Sequence, residues 1–206
     1  MKICVTGGIA TGKSTICKYF EDKGYFVFYS DIEAKHLANN NNVIKQQIIK
    51  IFGEKSYINN EYNVDYIRDI VFKNKSKLKL LDNLFKKVVT EKYKKQSLVY
   101  SISFFETALV FEHNLQSSFD LIIGVYCEKN EVIKRLKKRN NFNESQINKI
   151  IDAQLNNKEK MKKCSIIIDT TNGINYKKLN LILNYFEKIE ERRQKNNYGK
   201  VTTNIN

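Results

Sequence analysis

The chain has 206 residues, 42% hydrophobic and 28% charged, which suits one globular domain with an insertion or two. No run approaches the roughly 18 consecutive apolar residues of a membrane span, and Ile3–Thr6 enters a glycine turn without the charged start, apolar region and cleavage site of a secretory signal, so a cytoplasmic protein is expected. The net charge of +14 admits a nucleic-acid partner, polyphosphate ligands, or a compositional bias in a chain rich in Lys and Asn with no Pro or Trp, and charge alone does not choose among them.

In chain order, Ile3-Cys4-Val5-Thr6 is a short, β-branched apolar run that reads as a buried strand. A helix follows from about Ser14 to Lys23, with Ile16, Cys17 and Phe20 on one face and Gly24 as its stop. Tyr25–Tyr29 is a second strand, ending at Ser30-Asp31. Strand, helix and strand within about thirty residues make a βαβ unit.

Residues 32–95 change character. Ile44, Ile48, Ile51 and Phe52 recur at helical spacing up to Gly53. Asn59-Asn60 reads as a polar turn. Val64, Ile67, Ile70 and Val71 mark another helix, and Leu78, Leu81, Leu84, Phe85, Val88 and Val89 a third. This stretch is expected to form a helical insertion.

Strand character returns at Ser97–Phe105 and at Leu121–Tyr126. A very basic helix from near Asn130 carries Lys134–Arg139, and a polar, helix-prone stretch runs on to Lys163. Ser165–Ile168 is the last strand, before an Asp-Thr-Thr-Asn-Gly turn. An amphipathic helix over about 176–193 uses Leu179, Ile182, Leu183 and Phe186, and residues 194–206 read as a frayed polar tail. Strands alternating with helices imply an α/β fold: a mostly parallel sheet with helices on both faces, binding ligands at the strands' carboxyl ends. Cys4, Cys17, Cys127 and Cys164 form no C-x-x-C pair, and only His36 and His113 could join them in a metal site. They read as reduced, mostly buried thiols.

Gly7-Gly8-Ile9-Ala10-Thr11-Gly12-Lys13-Ser14 fits G-x-x-x-x-G-K-[ST] without a mismatch and stands between a predicted strand and a predicted helix. Such a loop turns successive N–H groups inward around phosphate oxygens, and the helix dipole adds to them. Lys13 would reach the β- and γ-phosphates of ATP, and the Ser14 hydroxyl would bind Mg²⁺. The N-K-x-D and D-x-x-G strings of common GTPases are missing from the chain. A small-molecule kinase instead needs an acceptor site and a mobile basic cover.

Asp31, at the end of the second strand, can accept the proton of an attacking hydroxyl or order the Mg²⁺ shell; it can equally cap the next helix. Arg135 and Arg139 share a helix face, where they either grip phosphate oxygens or form a solvated basic surface.

These residues together resemble the dephospho-CoA kinase family. Thr6–Thr15 looks like its P-loop, which typically reads T-G-G-I-G-S-G-K-S, and Asp31 to His36 is similar to its D-x-x-x-x-H segment. Phe52-Gly53 and Ile70-Val71-Phe72 resemble landmarks of its helical CoA subdomain. Leu109-Val110-Phe111-Glu112 looks like its L-L-F-E turn, with Phe119-Asp120 beyond. Arg135, Arg139 and Gln154 match its R-x-x-x-R … Q lid pattern. The ordered set covers about residues 3–173.

The resemblance implies a P-loop NTPase-type three-layer α/β/α fold in a single domain, 1–206, with a helical acceptor subdomain at 32–95 and a helical lid at 130–163. It implies ATP-dependent phosphorylation of the ribose 3′-hydroxyl of dephospho-CoA by a monomer that needs neither nucleic acid nor membrane. Asp31, Lys13 and Arg139 would be catalytic. Gly8, Ile9, Ala10, Thr11, Gly12, Lys13, Ser14, Thr15, Arg135 and Asn172 would bind ATP, Asn172 from the Asp169–Gly173 turn where the family places adenine. Ser14 would ligate Mg²⁺. The departures fall partly on the acceptor side: Tyr29 replaces the first Asp of a D-x-D, Lys86-Lys87 an H-P pair, Val64 an Arg, and Ala108 the proline before L-L-F-E. Three other readings stand beside this one: a nucleoside or nucleotide kinase of the same fold, a degenerate family member that binds ATP and CoA without turnover, and a basic protein that binds nucleic acid and uses ATP as a switch. The last would interleave aromatic and basic residues on a strand face, whereas here the densest basic run lies on a helix.

Overall fold

The computed structural model describes residues 1–139 and 157–202. Gln154 and half of the expected lid, residues 140–156, lie outside them. The chain divides into two compact units, the first made of residues 1–27 and 99–206 and the second of Phe28–Leu98.

The first unit is built on a five-stranded sheet. The sheet's strands are β1 (Lys2–Gly7), β2 (Phe26–Tyr29, of which Phe28 and Tyr29 fall in the second unit), β5 (Ser103–Glu106), β6 (Leu121–Tyr126) and β7 (Ile166–Asp169), in the order β2-β5-β1-β6-β7. The ladders β5–β1, β1–β6 and β6–β7 are all parallel. Burial on both faces explains why these strands are continuous apolar runs rather than alternating ones. Ile3, Cys4, Val5, Phe104, Ile123 and Val125 are all fully buried.

Among the described residues, this unit carries the helices α1 (Lys13–Asp22), α6 (Lys129–Arg139), α7 (Asn157–Lys162) and α8 (Tyr176–Thr202). Phe104 of β5 stacks on Phe20 of α1 at 4.5 Å between ring centres and meets Phe186 of α8 at 6.4 Å. The two helices therefore cover the same region of the sheet. On β6, Gly124 gives α7 room to approach: a Cβ there would lie 2.7 Å from both Met161 Sδ and Cys164 Sγ. The last helix continues to Thr202, past Arg193 where the sequence reading begins a frayed tail; the extension contains no proline to stop it.

The second unit carries α2 (Ser30–Asn40), α3 (Asn42–Phe52), α4 (Val64–Lys73), α5 (Lys75–Gln96) and a hairpin of β3 (Tyr57–Ile58) and β4 (Glu61–Tyr62). The predicted polar turn, Asn59-Asn60, closes that hairpin with both residues at positive φ, a conformation Asn tolerates. The core consists of Ala38, Ile44, Ile48, Phe52, Ile67 and Val71, with Leu81, Leu84, Phe85 and Val88 of α5 packed against it. These are largely the residues that the helical periodicity singles out. The asparagines have a structural use as well. Asn41, Asn63 and Asn74 accept the backbone N–H of Ile44, Tyr66 and Lys77, and so cap three helices. Within the unit, Glu33 of α2 pairs with Lys92 of α5, and His36 Nδ1 lies 3.5 Å from Glu33.

Among the described residues, no helix is long and apolar enough to cross a membrane. All four cysteines are free, with Cys4, Cys17 and Cys127 buried and Cys164 half-buried.

Candidate active site

Strand β1 runs up the middle of the sheet and releases the chain at Gly7, where the motif begins. A Cβ on Gly7 would lie 2.3 Å from the Val125 carbonyl oxygen of β6, so only glycine lets the loop leave between the two strands. Gly12 then sits in the left-handed region at φ 94 and opens α1 without a side-chain cap. The first-turn amides of α1 thus have no side-chain acceptor at the cap, the arrangement that favours a bound anion.

Inside the loop, Thr11 Oγ1 donates to Gly8 O at 2.9 Å and Lys13 Nζ to the same oxygen at 2.8 Å. The Lys13 side chain therefore lies back over the loop that it is expected to serve. Ser14 and Thr15 are exposed while Thr11 and Lys13 are buried, which leaves the Ser14 hydroxyl open to a metal ion. Ala10 adopts φ 55, a left-handed backbone at a position where the typical family loop has glycine.

Two further segments of the first unit close around this loop. Arg135 of α6 donates from Nη1 to Ala10 O at 3.4 Å and to Thr170 Oγ1 at 3.1 Å, and from Nη2 to Thr170 O at 2.5 Å; its Nε bonds Glu131 at 3.2 Å. The turn after β7 is fixed by its own bonds. Asp169 accepts the Thr171 N–H at 2.8 Å, Thr171 Oγ1 accepts the Glu128 N–H at 3.0 Å, and Gly173 N–H returns to Thr170 O at 3.0 Å. The Thr171 hydroxyl and amide beside Asp169 hold its carboxyl below the usual range. Asn172 stands exposed on this turn. Burial pushes the nearby Cys127 thiol up, with the Arg135 charge opposing it.

The structure thus brings together the P-loop, Arg135 and the Asp169–Gly173 turn. Asp31 lies in the first turn of α2 in the second unit and is exposed. The residue before that helix is Tyr29, and no side-chain cap bond is made, so the capping role weighed for Ser30-Asp31 is not the one found. Arg139 is the last residue of α6.

Sequence reasoning missed three residues. Glu106 ends β5, one residue beyond the predicted strand, and is buried; it pairs in register with Val5 of β1. Its charge helps to raise the Cys17 thiol, which Lys13 lowers, after burial as the main cause. A carboxylate closing an apolar run at a strand's carboxyl end was the available signal, the same one that picked out Asp31. Lys160 of α7 is also buried, with Nζ 2.7 Å from Glu112 Oε1 and 2.9 Å from Ala108 O. Nothing in its polar surroundings marked it. The third is Thr170, which lies in the Asp169–Gly173 turn that the sequence singles out, although nothing there sets its hydroxyl apart from that of Thr171.

The model of the family described as dephospho-CoA kinase matches residues 1–176. The chain belongs to the dephospho-CoA kinase family. It is 33% identical over 178 residues to a dephospho-CoA kinase of Fusobacterium nucleatum, covering 84% of this chain and 91% of that one. The dephospho-CoA kinase structure from Campylobacter jejuni superposes with a TM-score of 0.63 at 25% identity, covering 94% of this chain and 100% of that one. A Thermus thermophilus structure at 21% identity shares the fold, with a TM-score of 0.76 over 90% of this chain and 95% of its own. The α/β fold with a mostly parallel sheet is thus that of the P-loop kinases, and the chain is a kinase of this family.

Proposed function

We propose that the protein transfers the γ-phosphoryl group of ATP to the ribose 3′-hydroxyl of dephospho-CoA, giving CoA and ADP. The observation that carries this reading is the family match over residues 1–176, which takes in both the phosphate loop and the inserted helical unit. The loop geometry supports it: an α1 N-terminus without a side-chain cap, Lys13 at the mouth of α1 and the exposed Ser14 suit a triphosphate.

The residues present also suit Mg²⁺. That ion takes oxygen ligands, usually one or two from protein together with phosphates and water, and Ser14 and Glu106 are oxygen donors on neighbouring elements. Bound with ATP, Mg²⁺ would neutralise charge on the β- and γ-oxygens. In this reading Lys13 and the amides of residues 8–15 would hold the phosphates, and Glu106 would serve the metal as an oxygen donor beside Ser14. Asp31 takes the 3′-hydroxyl proton as the oxygen attacks phosphorus and ADP departs. Arg139 neutralises the transferring group. Arg135 and the turn bearing Asn172 form the wall next to the nucleotide.

The experiment is ADP release from ATP and Mg²⁺ with dephospho-CoA, AMP, CMP or no acceptor. Release that depends on dephospho-CoA is expected. Release driven by a nucleotide, or needing no acceptor, would falsify the proposed acceptor while leaving the P-loop reading in place.

A further inference from the structure

Three segments of the first unit meet at one buried hydroxyl. Thr170 is fully buried just beyond β7. Its Oγ1 lies 2.6 Å from Thr11 O, 3.2 Å from Tyr126 O and 3.1 Å from Arg135 Nη1. A hydroxyl has one proton to give and two lone pairs. The guanidinium can only donate, so Arg135 takes a lone pair, and the shorter contact assigns the proton to Thr11 O.

The consequence lies in the peptide units of the loop. In a trans peptide the C=O and the following N–H point in opposite directions. Thr170 holds the Thr11 carbonyl and Arg135 contacts the Ala10 carbonyl at 3.4 Å, both from outside the loop. The amides of Gly12 and Thr11, on the other ends of the same peptide units, are thereby turned away from Thr170 and Arg135. Glu131, on the Nε of Arg135 at 3.2 Å, fixes the guanidinium in turn. Gly12 completes the fit, since a Cβ there would rest 3.7 Å from the Thr170 side chain and 3.8 Å from Arg135 Nη1.

We propose that Thr170 is a positioning residue for the nucleotide: its hydroxyl pre-sets the Thr11–Gly12 peptide for phosphate and locks it to Arg135 and to the turn that follows β7. This rests on the reading of Gly7–Ser14 as the ATP phosphate site. It separates Thr170 from a residue that merely fills the core, because the shape of the side chain is dispensable and its proton is not.

The test is calorimetric ATP binding together with steady-state kinetics for the wild type, Thr170→Val and Thr170→Ser, with urea unfolding in parallel. Thr170→Val keeps the shape and deprives the Thr11 carbonyl of its donor. Kd and KM for ATP are expected to rise about tenfold, as for a buried acceptor left unpaired, while KM for dephospho-CoA changes by less than about twofold. Thr170→Ser is expected to restore wild-type ATP affinity. A Val variant that loses stability but binds ATP as the wild type does overturns the proposal. If Thr170→Val does not fold, Thr170→Ala is read in the same way; failure of both to fold beside a normal Ser variant assigns the residue to stability alone and also overturns it. A wild-type protein that binds no ATP defeats the phosphate-site reading itself, and does so before any substitution is made.

Discussion

Lys160 Nζ and Glu112 Oε1 form a 2.7 Å ion pair in which the lysine side chain is 1% exposed and the glutamate 24%. The pair joins α7 to the Leu109–Glu112 turn, and the Ala108 carbonyl takes a second lysine proton. Desolvating a lysine this far is costly, and the partners recover that cost only while both remain. Lys160→Met is therefore expected to lower stability by about 2–4 kcal/mol, and Lys160→Met with Glu112→Gln to lose less than the single change. Urea midpoints for the two single variants and the double variant decide it, and losses that simply add would show that the pair is not coupled.

Ala10 pays for a left-handed backbone that glycine adopts freely. Ala10→Gly removes a penalty of roughly 1–2 kcal/mol and adds back part of it through the freer unfolded chain. The expected net effect is a gain of up to about 1 kcal/mol, measured as a higher denaturation midpoint. The opposite sign would mean that the Arg135 contact to the Ala10 carbonyl already relieves the strain.

For Asp31 and Glu106 the kinetic split is the prediction. Asp31→Asn is expected to cut turnover by about 10²–10⁴, the usual scale of general-base loss, with ATP affinity nearly unchanged. Glu106→Gln should act on the metal instead, raising the Mg²⁺ concentration needed for half-maximal rate. Lost ATP affinity in the Asp31 variant would move that residue to the metal site.

Gly124→Ala is expected to destabilise by about 1–3 kcal/mol, as overpacking does, because the new methyl meets two sulfur atoms at 2.7 Å. A thermal melt checks this, and an unchanged Tm would show that α7 can shift outward.

Burial pushes all four thiols up, Cys164 to about 11. Thiolate is the reactive form, so alkylation of the native protein at pH 8 should be far slower than after unfolding. The sign of the pH effect follows. The unfolded thiol ionises near the ordinary value of 9.0 and the folded Cys164 near 11, so its contribution to stability is complete below 9 and is lost as pH rises towards 11. Rapid labelling of the native protein at pH 8 would contradict this.

Much of the site could be read from the chain because its chemistry is local. Gly7–Ser14 needs a strand before it and a helix after it, and both announce themselves by apolar pattern within a few residues. The core of the second unit was legible for the same reason, through the spacing of Ile44, Ile48 and Phe52. Glu106 and Thr170 were not, because each gains its role from neighbours a hundred or more positions away: Val5 in register with Glu106, and Thr11 against Thr170. Lys160 likewise reads as one more surface lysine until Glu112 and Ala108 are placed beside it.

The sheet order has a consequence for how the protein is made. In register, Lys2 of β1 lies opposite Ser103 and Ile3 opposite Leu121, so the strand that carries the phosphate loop has no neighbour until residues past 100 have been synthesised. The whole of Phe28–Leu98 leaves the ribosome before β5 and β6 do, with its core cluster drawn from its own residues. Domains complete themselves from the N-terminal side as synthesis proceeds, and contacts of long sequence separation come late. The inserted unit is thus positioned to fold first, and the phosphate loop, although encoded within the first fifteen residues, acquires its shape only when β5 and β6 arrive to hold it.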